Sequence, residues 1–409
     1  MDSDPRPGAL TTSMRPSMSC TIRELSARPS PVPPWRAPWP PCTQGRKSGS
    51  AGTPWGSASR GRSSSTGRGH VLPAGYFSGE RLAATVWGVT SRRAVIALGG
   101  NAMTGPDGSA AAGAQRDALR EAAAHIADVV ASGVEVVLTH GNGPQVGNLL
   151  VKNELAAHVV PPVPLDWCVA QTQATIAFTL ADELDAALAA RGVARRTVGV
   201  VTRTLVDPDD PGLREPTKPV GRFLPREEAE RFVAIGQVWE DRGERGWRRV
   251  VASPEPRSVV DGPAIETLIA AGFVVVCAGG GGIPVVDDGA DGGPHATGLR
   301  GVEAVIDKDL TAAILAHEVG ADTLVIATDV PNVMVDFGTP AARPLGRVTP
   351  GELRTHAAAG QFARGSMGPK VEAALRFVER GGERAAITSL EHIADVVARD
   401  DVGTVLTTT

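Results

Sequence analysis

From Arg93 onward, short apolar runs alternate with stretches whose apolar residues recur every three to four positions. Such alternation predicts parallel strands joined by helices that cover both faces of one sheet. Residues 94–98 and 135–139 read as buried strands. The helix predicted between them, over 115–131, places Leu119, Ala122, Ile126 and Val130 on one side. A further helix begins near Gln145, a long Ala/Leu-rich one covers 171–191, and a strand follows at 198–202. The pattern resumes with helix 263–271, strand 274–277, helix 310–319 and strand 323–327, then helices 350–359 and 368–380, strand 385–387 and a short last helix. The fold class is α/β, a three-layer αβα sandwich around a central, mainly parallel sheet.

Two stretches break the rhythm. Between 203 and 250 the chain turns to Asp, Pro, Gly, Arg and Glu with few apolar repeats, so a small protruding lid subdomain is expected at about 203–252, inserted into a domain spanning 91–409. Residues 1–90 show no period at all. They hold 12 of the 32 prolines and 11 Lys/Arg against 4 Asp/Glu, whereas the remainder has 30 against 41. That composition buries too little apolar surface to offset chain entropy and reads as a disordered N-terminal extension. Ordered patterning starts so abruptly that the natural start is expected near Val86 or Val89.

Four cysteines, Cys20, Cys42, Cys168 and Cys277, show no C-x-x-C spacing, which argues against a disulfide framework or zinc site and for a reducing, cytoplasmic setting. No apolar run is long enough for a membrane span, and neither membrane nor nucleic acid is expected as a partner.

Three glycine-rich turns each follow a predicted strand: Gly99-Gly100-Asn101, Gly141-Asn142-Gly143-Pro144 and Gly279-Gly280-Gly281-Gly282. Glycine lets backbone N–H groups approach an anion closely, and a following helix adds its positive end. One such turn is weak evidence, but three at one sheet edge point to a phosphate site.

The lysines are more telling. Of 41 basic residues only five are lysine, namely Lys47, Lys152, Lys218, Lys308 and Lys370. A chain that writes its cations as arginine keeps lysine where a compact ammonium is wanted, and Lys218, Lys308 and Lys370 fall in loops or at helix starts. Positioning and charge neutralisation are most of what phosphoryl transfer asks of a protein. Lys152 reads as a solvated helix residue. A Walker phosphate loop is excluded, since no Gly-Lys-Ser/Thr follows any glycine run, and Ile283-Pro284 stands where a dinucleotide fingerprint would open a helix. His140 reads as a residue that orients its turn.

Seven ordered segments resemble the carbamate kinases of the amino-acid kinase family: residues 97–102, 140–148, 216–221, 246–251, 279–286, 301–309 and 365–370. Sister kinases acting on acetylglutamate, aspartate or uridylate carry a lysine just before the first glycine turn. Ala97 stands there in this chain, and the resemblance supplies that charge through Lys308.

The resemblance implies reversible phosphoryl transfer between ATP and carbamate, giving ADP and carbamoyl phosphate, run towards ATP synthesis in arginine catabolism by a cytoplasmic homodimer. It makes Lys218, Lys308, Lys370 and Asp309 catalytic, with Asp309 orienting the lysines. Gly99, Gly100, Asn101, Gly141, Asn142, Gly143, Gly280 and Gly281 would hold the phosphoryl group and substrate. Asp307, Thr328, Asp329, Val330 and Met367 would hold nucleotide. No protein metal site is expected, and Mg2+ would arrive with ATP or ADP. Two departures stand out: Gln171-Thr172-Gln173-Ala174, where the family reads Ser/Thr-Gln-Gly, and Pro331, which stiffens the nucleotide loop. The competing readings are another acyl-phosphate-forming kinase of the family and a non-catalytic nucleotide sensor, which would be expected to have lost a lysine.

Overall fold

A computed structural model describes residues 92–104, 111–289, 298–363 and 365–408. The extension at 1–90 lies outside the described residues. The first half contributes β1 (Arg93–Leu98), α1 (Ala112–Ala131), β2 (Glu135–His140), α2 (Gly143–Ala156), α3 (Leu165–Ala190), β3 (Thr197–Gly199) and β4 (Arg203–Val206). An inserted stretch follows with α4 (Pro211–Arg214), β5 (Lys218–Leu224), α5 (Arg226–Val233), β6 (Val238–Asp241) and β7 (Trp247–Val251). Next come β8 (Pro256–Val259), α6 (Gly262–Ala270), β9 (Val274–Val276), β10 (Ile283–Asp287), β11 (Leu299–Gly301), α7 (Lys308–Glu318) and β12 (Thr323–Thr328). The chain closes with the β13 (Met334–Val335) and β14 (Arg343–Pro344) pair, β15 (Arg347–Val348), α8 (Pro350–Ala358), α9 (Met367–Glu379), β16 (Arg384–Ser389), α10 (Ile393–Ala398) and β17 (Thr404–Thr407).

Eight strands form the central sheet in the order β15-β17-β16-β12-β1-β2-β9-β3, parallel from β16 to β3 and antiparallel only between β16 and β17. Both faces are covered, which is why β1 after Arg93 reads as an unbroken apolar run and β2 carries Val136-Val137-Leu138 rather than an alternating pattern. Val95, Ala97 and Val137 face α6, α7, α8 and α9 through Ile265, Leu315, Leu353 and Phe377. Ile96, Leu98 and Leu138 face α1 and α3 through Leu119, Ile126, Ile176 and Leu180. Each of the Val, Leu, Ile and Phe side chains among them contributes roughly 1.5–3 kcal/mol on burial. The three-layer sandwich expected from the sequence is the fold observed.

Two expectations need correcting. The strand placed at 198–202 is split: β3 ends at Gly199, and after the Val200 N–H bonds the Val276 carbonyl the chain leaves the sheet. It re-enters as β4 in a second, four-stranded sheet ordered β11-β10-β4-β8. The lid boundary at 203 therefore falls within β4, which pairs with Ile283 to Val285. The inserted three-stranded antiparallel sheet, β5-β7-β6, starts later, at Lys218. Val220 and Val251 seat that sheet on Val146, Leu150 and Leu165 of α2 and α3. Among the described residues no helix is long and apolar enough to cross a membrane.

Candidate active site

Parallel strands β12, β1, β2 and β9 lie side by side, so the turns that leave their carboxyl ends open onto one edge. There they border a cleft of about 610 Å³. Gly99, Gly100, Gly141, Asn142, Gly143 and Gly280 line it, joined by Lys218, Asp307, Lys308, Asp309, Thr328, Asp329 and Lys370. Residues scattered over more than 270 positions of sequence thus line one cleft. Asn101 lies in the 3₁₀ turn Gly100–Met103, and its side chain falls outside what is described.

Glycine is required at particular points of this edge. A Cβ on Gly280, where φ is +65°, would lie 2.1 Å from Asn142 Nδ2, and one on Gly99 would lie 3.0 Å from the Ala327 carbonyl. Just before the third turn, Ala278 adopts φ +49°, a left-handed conformation that costs an ordinary residue about 1–2 kcal/mol. Two threonines hold it there. Thr139 Oγ1 donates to the Ala278 carbonyl at 2.9 Å, and the Ala278 N–H donates to Thr202 Oγ1 at 3.0 Å.

Helix α7 begins at the mouth of the cleft and carries three of the charged groups. Asp307 caps it, Oδ1 accepting from the N–H of Asp309 at 2.9 Å, while Oδ2 receives Lys218 Nζ from the inserted sheet at 2.6 Å. The buried Asp309 carboxylate takes one ammonium on each oxygen: Lys308 on Oδ1, and Lys370, from the first turn of α9, on Oδ2 at 3.0 Å. Burial alone would raise the Asp309 carboxyl, but the two ammonium groups outweigh it and hold the group below the usual carboxylate range. Burial also pushes the Lys308 ammonium below its ordinary value. Asp309 opposes that shift, and Lys370 adds to it. Two cations converging on one anion leave a local excess of positive charge around Asp309, beside three glycine turns. Such a site attracts a phosphate's oxygens.

His140 ends β2 fully buried, its Nδ1 2.8 Å from the Gly141 carbonyl. Burial drives its pKa down to about 4, with Lys308 adding to the effect and the Gly141 bond opposing it. The imidazole is therefore neutral at physiological pH, and the carbonyl contact fits a turn-orienting role. Because the unfolded chain takes up this proton near pH 6.5 and the native one only near 4, His140 contributes stability that is complete above the higher value. That contribution is lost as pH falls between the two, about 3 kcal/mol in all. Urea unfolding at pH 7.5 and 4.5 is expected to show a shallower pH slope in His140→Gln than in wild type. Equal slopes would remove His140 from the account.

Some expected site residues sit elsewhere. Met367 packs its side chain against the core under α6 to α9 instead of lining the cleft. Val330 is half-buried after β12 and also lies outside it, as does the exposed Pro331. Gly281 turns its carbonyl to Thr204 and Thr311 and so braces the turn. Lys152 is exposed on α2, as read from the sequence.

The segment 171–174 lies on α3. Thr172 and Gln173 face inward, while Gln171 and Ala174 are exposed. Gln173 clamps Thr202, accepting from its N–H at 2.8 Å and donating to its carbonyl at 3.1 Å. Glu121, Ser389 and Glu391 also line the cleft and carried no sequence signal, because each sits in an ordinary polar context.

The family model described as amino acid kinase family matches residues 92–389. This chain belongs to the amino acid kinase family. Within that family it is 44% identical to the carbamate kinase of Thermococcus kodakarensis, over 75% of this chain and 96% of the relative. It is 42% identical to carbamate kinase 1 of Enterococcus faecium, over 77% and 99%. Its fold matches carbamate kinase from Giardia lamblia bound to AMP-PNP with a TM-score of 0.70 and 38% identity, covering 78% of this chain and 99% of that one. This amino acid kinase is thus a phosphotransferase of the carbamate kinase group, and all three cleft lysines belong to the matched region.

Proposed function

We propose that this amino acid kinase interconverts ATP and carbamate with ADP and carbamoyl phosphate. The observation that carries the proposal is the meeting of Lys308 and Lys370 on the two oxygens of Asp309, beside the glycine turns. Ala97 stands just before the first of those turns, and a Cβ on Gly141 would lie 3.6 Å from the Lys308 side chain, so Lys308 brings an ammonium to the turn region.

Carbamate is an anionic nucleophile that needs no strong base; what opposes reaction is its charge as it nears the phosphoryl group. Lys308 and Lys370 hold the oxygens of the group in transfer. Lys218 adds a third cation from the inserted sheet, and the backbone amides of the first two glycine turns hold the acceptor. Asp309 fixes both deep ammonium groups so that little reorganisation is needed during transfer. Gly280 keeps the floor open to ligand. Asp307, Thr328 and Asp329 bound the nucleotide side.

Among the described residues no group of three or more His, Cys, Asp or Glu is placed to hold a metal ion, and Asp307 and Asp309 already engage lysines. Those residues suit Mg2+ carried by the nucleotide's own phosphates, where it neutralises charge on their oxygens. Transfer from an acyl phosphate to ADP runs downhill, which favours ATP synthesis in arginine catabolism as the working direction, in the cytoplasm. Exposed Trp167 and Phe178 on α3 offer an apolar face for a homodimer. Retention of all three lysines argues against a non-catalytic nucleotide sensor.

An acceptor panel tests the reaction. With ATP and Mg2+, ADP release is expected with carbamate and at much lower rates with acetate, acetylglutamate or aspartate. Faster turnover with acetylglutamate or aspartate would replace carbamate kinase by a sister activity.

A further inference from the structure

Asn142 lies in the cleft with its carboxamide against Gly280. Its Nδ2 is 3.0 Å from Thr172 Oγ1 on α3, and Thr172 Oγ1 lies 2.8 Å from the Val169 carbonyl one turn earlier. A hydroxyl has one proton to give. Thr172 gives it to Val169, a carbonyl that can only accept, so Oγ1 can only accept from Asn142. The group Asn142 turns towards α3 must therefore be its NH2, which settles an orientation that is otherwise ambiguous for an amide. What remains is Oδ1, an acceptor with no hydrogen-bond partner among the described residues.

We propose that Thr172 sets acyl-group specificity by holding Asn142 Oδ1 as an acceptor for the amino group of carbamate and carbamoyl phosphate. The inference rests on the carbamate kinase reading and deepens it. Acetate and acetyl phosphate have nearly the same shape but present a methyl group, which cannot donate and leaves Oδ1 desolvated and unpaired. Sites built around a hydrogen bond discriminate against analogues that lack it far better than sites that sense shape alone. Thr172 touches no substrate in this scheme; it is a positioning residue acting through Asn142. The sequence flagged the 171–174 segment, but not the contact of Thr172 with Asn142, which joins positions 30 residues apart.

Initial rates of ATP formation by the full chain, with ADP, Mg2+ and either carbamoyl phosphate or acetyl phosphate, give the ratio of the two kcat/KM values. Thr172→Val keeps the shape and removes the hydroxyl, freeing the Asn142 amide to turn. The ratio is expected to fall by about tenfold or more, through loss on carbamoyl phosphate, with KM for ADP unchanged. Thr172→Ser keeps the hydroxyl and is expected to keep the wild-type ratio. An unchanged ratio in the valine variant overturns the proposal, and so does an equal shift in serine and valine, which would mark lost packing. Should the valine variant not fold, Thr172→Ala is read in the same way. A wild-type enzyme that makes no ATP from carbamoyl phosphate brings down the carbamate kinase reading and this proposal with it. Active wild type with an unmoved ratio sinks only the role of Thr172.

Discussion

Replacing Lys308 or Lys370 by alanine is expected to reduce turnover by roughly 10²–10³-fold or more while leaving the fold intact. Each ammonium is one of two that share the Asp309 carboxylate, and each is placed to neutralise charge on the phosphoryl oxygens as they move. Deleting one halves the converging positive charge at the point where phosphoryl transfer depends on it. The loss should appear in kcat more than in KM for ADP, because the missing contact is strongest in the transition state. Arginine is expected to fail as well: a planar guanidinium is broader than the compact ammonium that each Asp309 oxygen receives. Near-normal turnover in either alanine variant, with a native circular dichroism spectrum, would take these lysines out of the mechanism.

Asp309→Asn is expected to damage stability as well as activity. The carboxylate is buried and holds two ammonium groups, so its removal leaves two like charges facing each other without an anion. Breaking a buried pair on one side costs about 3–5 kcal/mol. Part of that loss should be recoverable, since ADP with inorganic phosphate brings anionic oxygens to the same lysines. A melting temperature well below wild type, partly restored by these ligands and by a larger increment than wild type shows, is the expected pattern. Wild-type stability and turnover in the variant would mean that Asp309 does not organise the lysines.

Much of this arrangement was legible in the sequence, for identifiable reasons. Strands β1 and β2 are buried on both faces and therefore show consecutive apolar residues, Ala94 to Leu98 and Val136 to Leu138, instead of alternation. Lys218, Lys308 and Lys370 stood out against a background of 36 arginines. The second sheet did not show. Its strands span only three to five residues, include Pro256 and Pro284, and are paired across long separations, so no local period announces them. The double duty of Asp307, helix cap on one oxygen and partner of Lys218 on the other, was equally hidden, because the pairing joins positions 89 residues apart. Met367 differs: the family resemblance placed it with the nucleotide, whereas on helix α9 its partly buried side chain packs against the core.

The central claim is that lysines gathered on Asp309 pass a phosphoryl group between an acyl anion and a nucleotide. Coupled measurement of ATP formed from carbamoyl phosphate and ADP, with and without Mg2+, tests it most directly. Rapid, Mg2+-dependent ATP synthesis by the wild-type chain, lost in Lys308→Ala, is the predicted result; no ATP above the uncatalysed background from folded wild-type enzyme would contradict it.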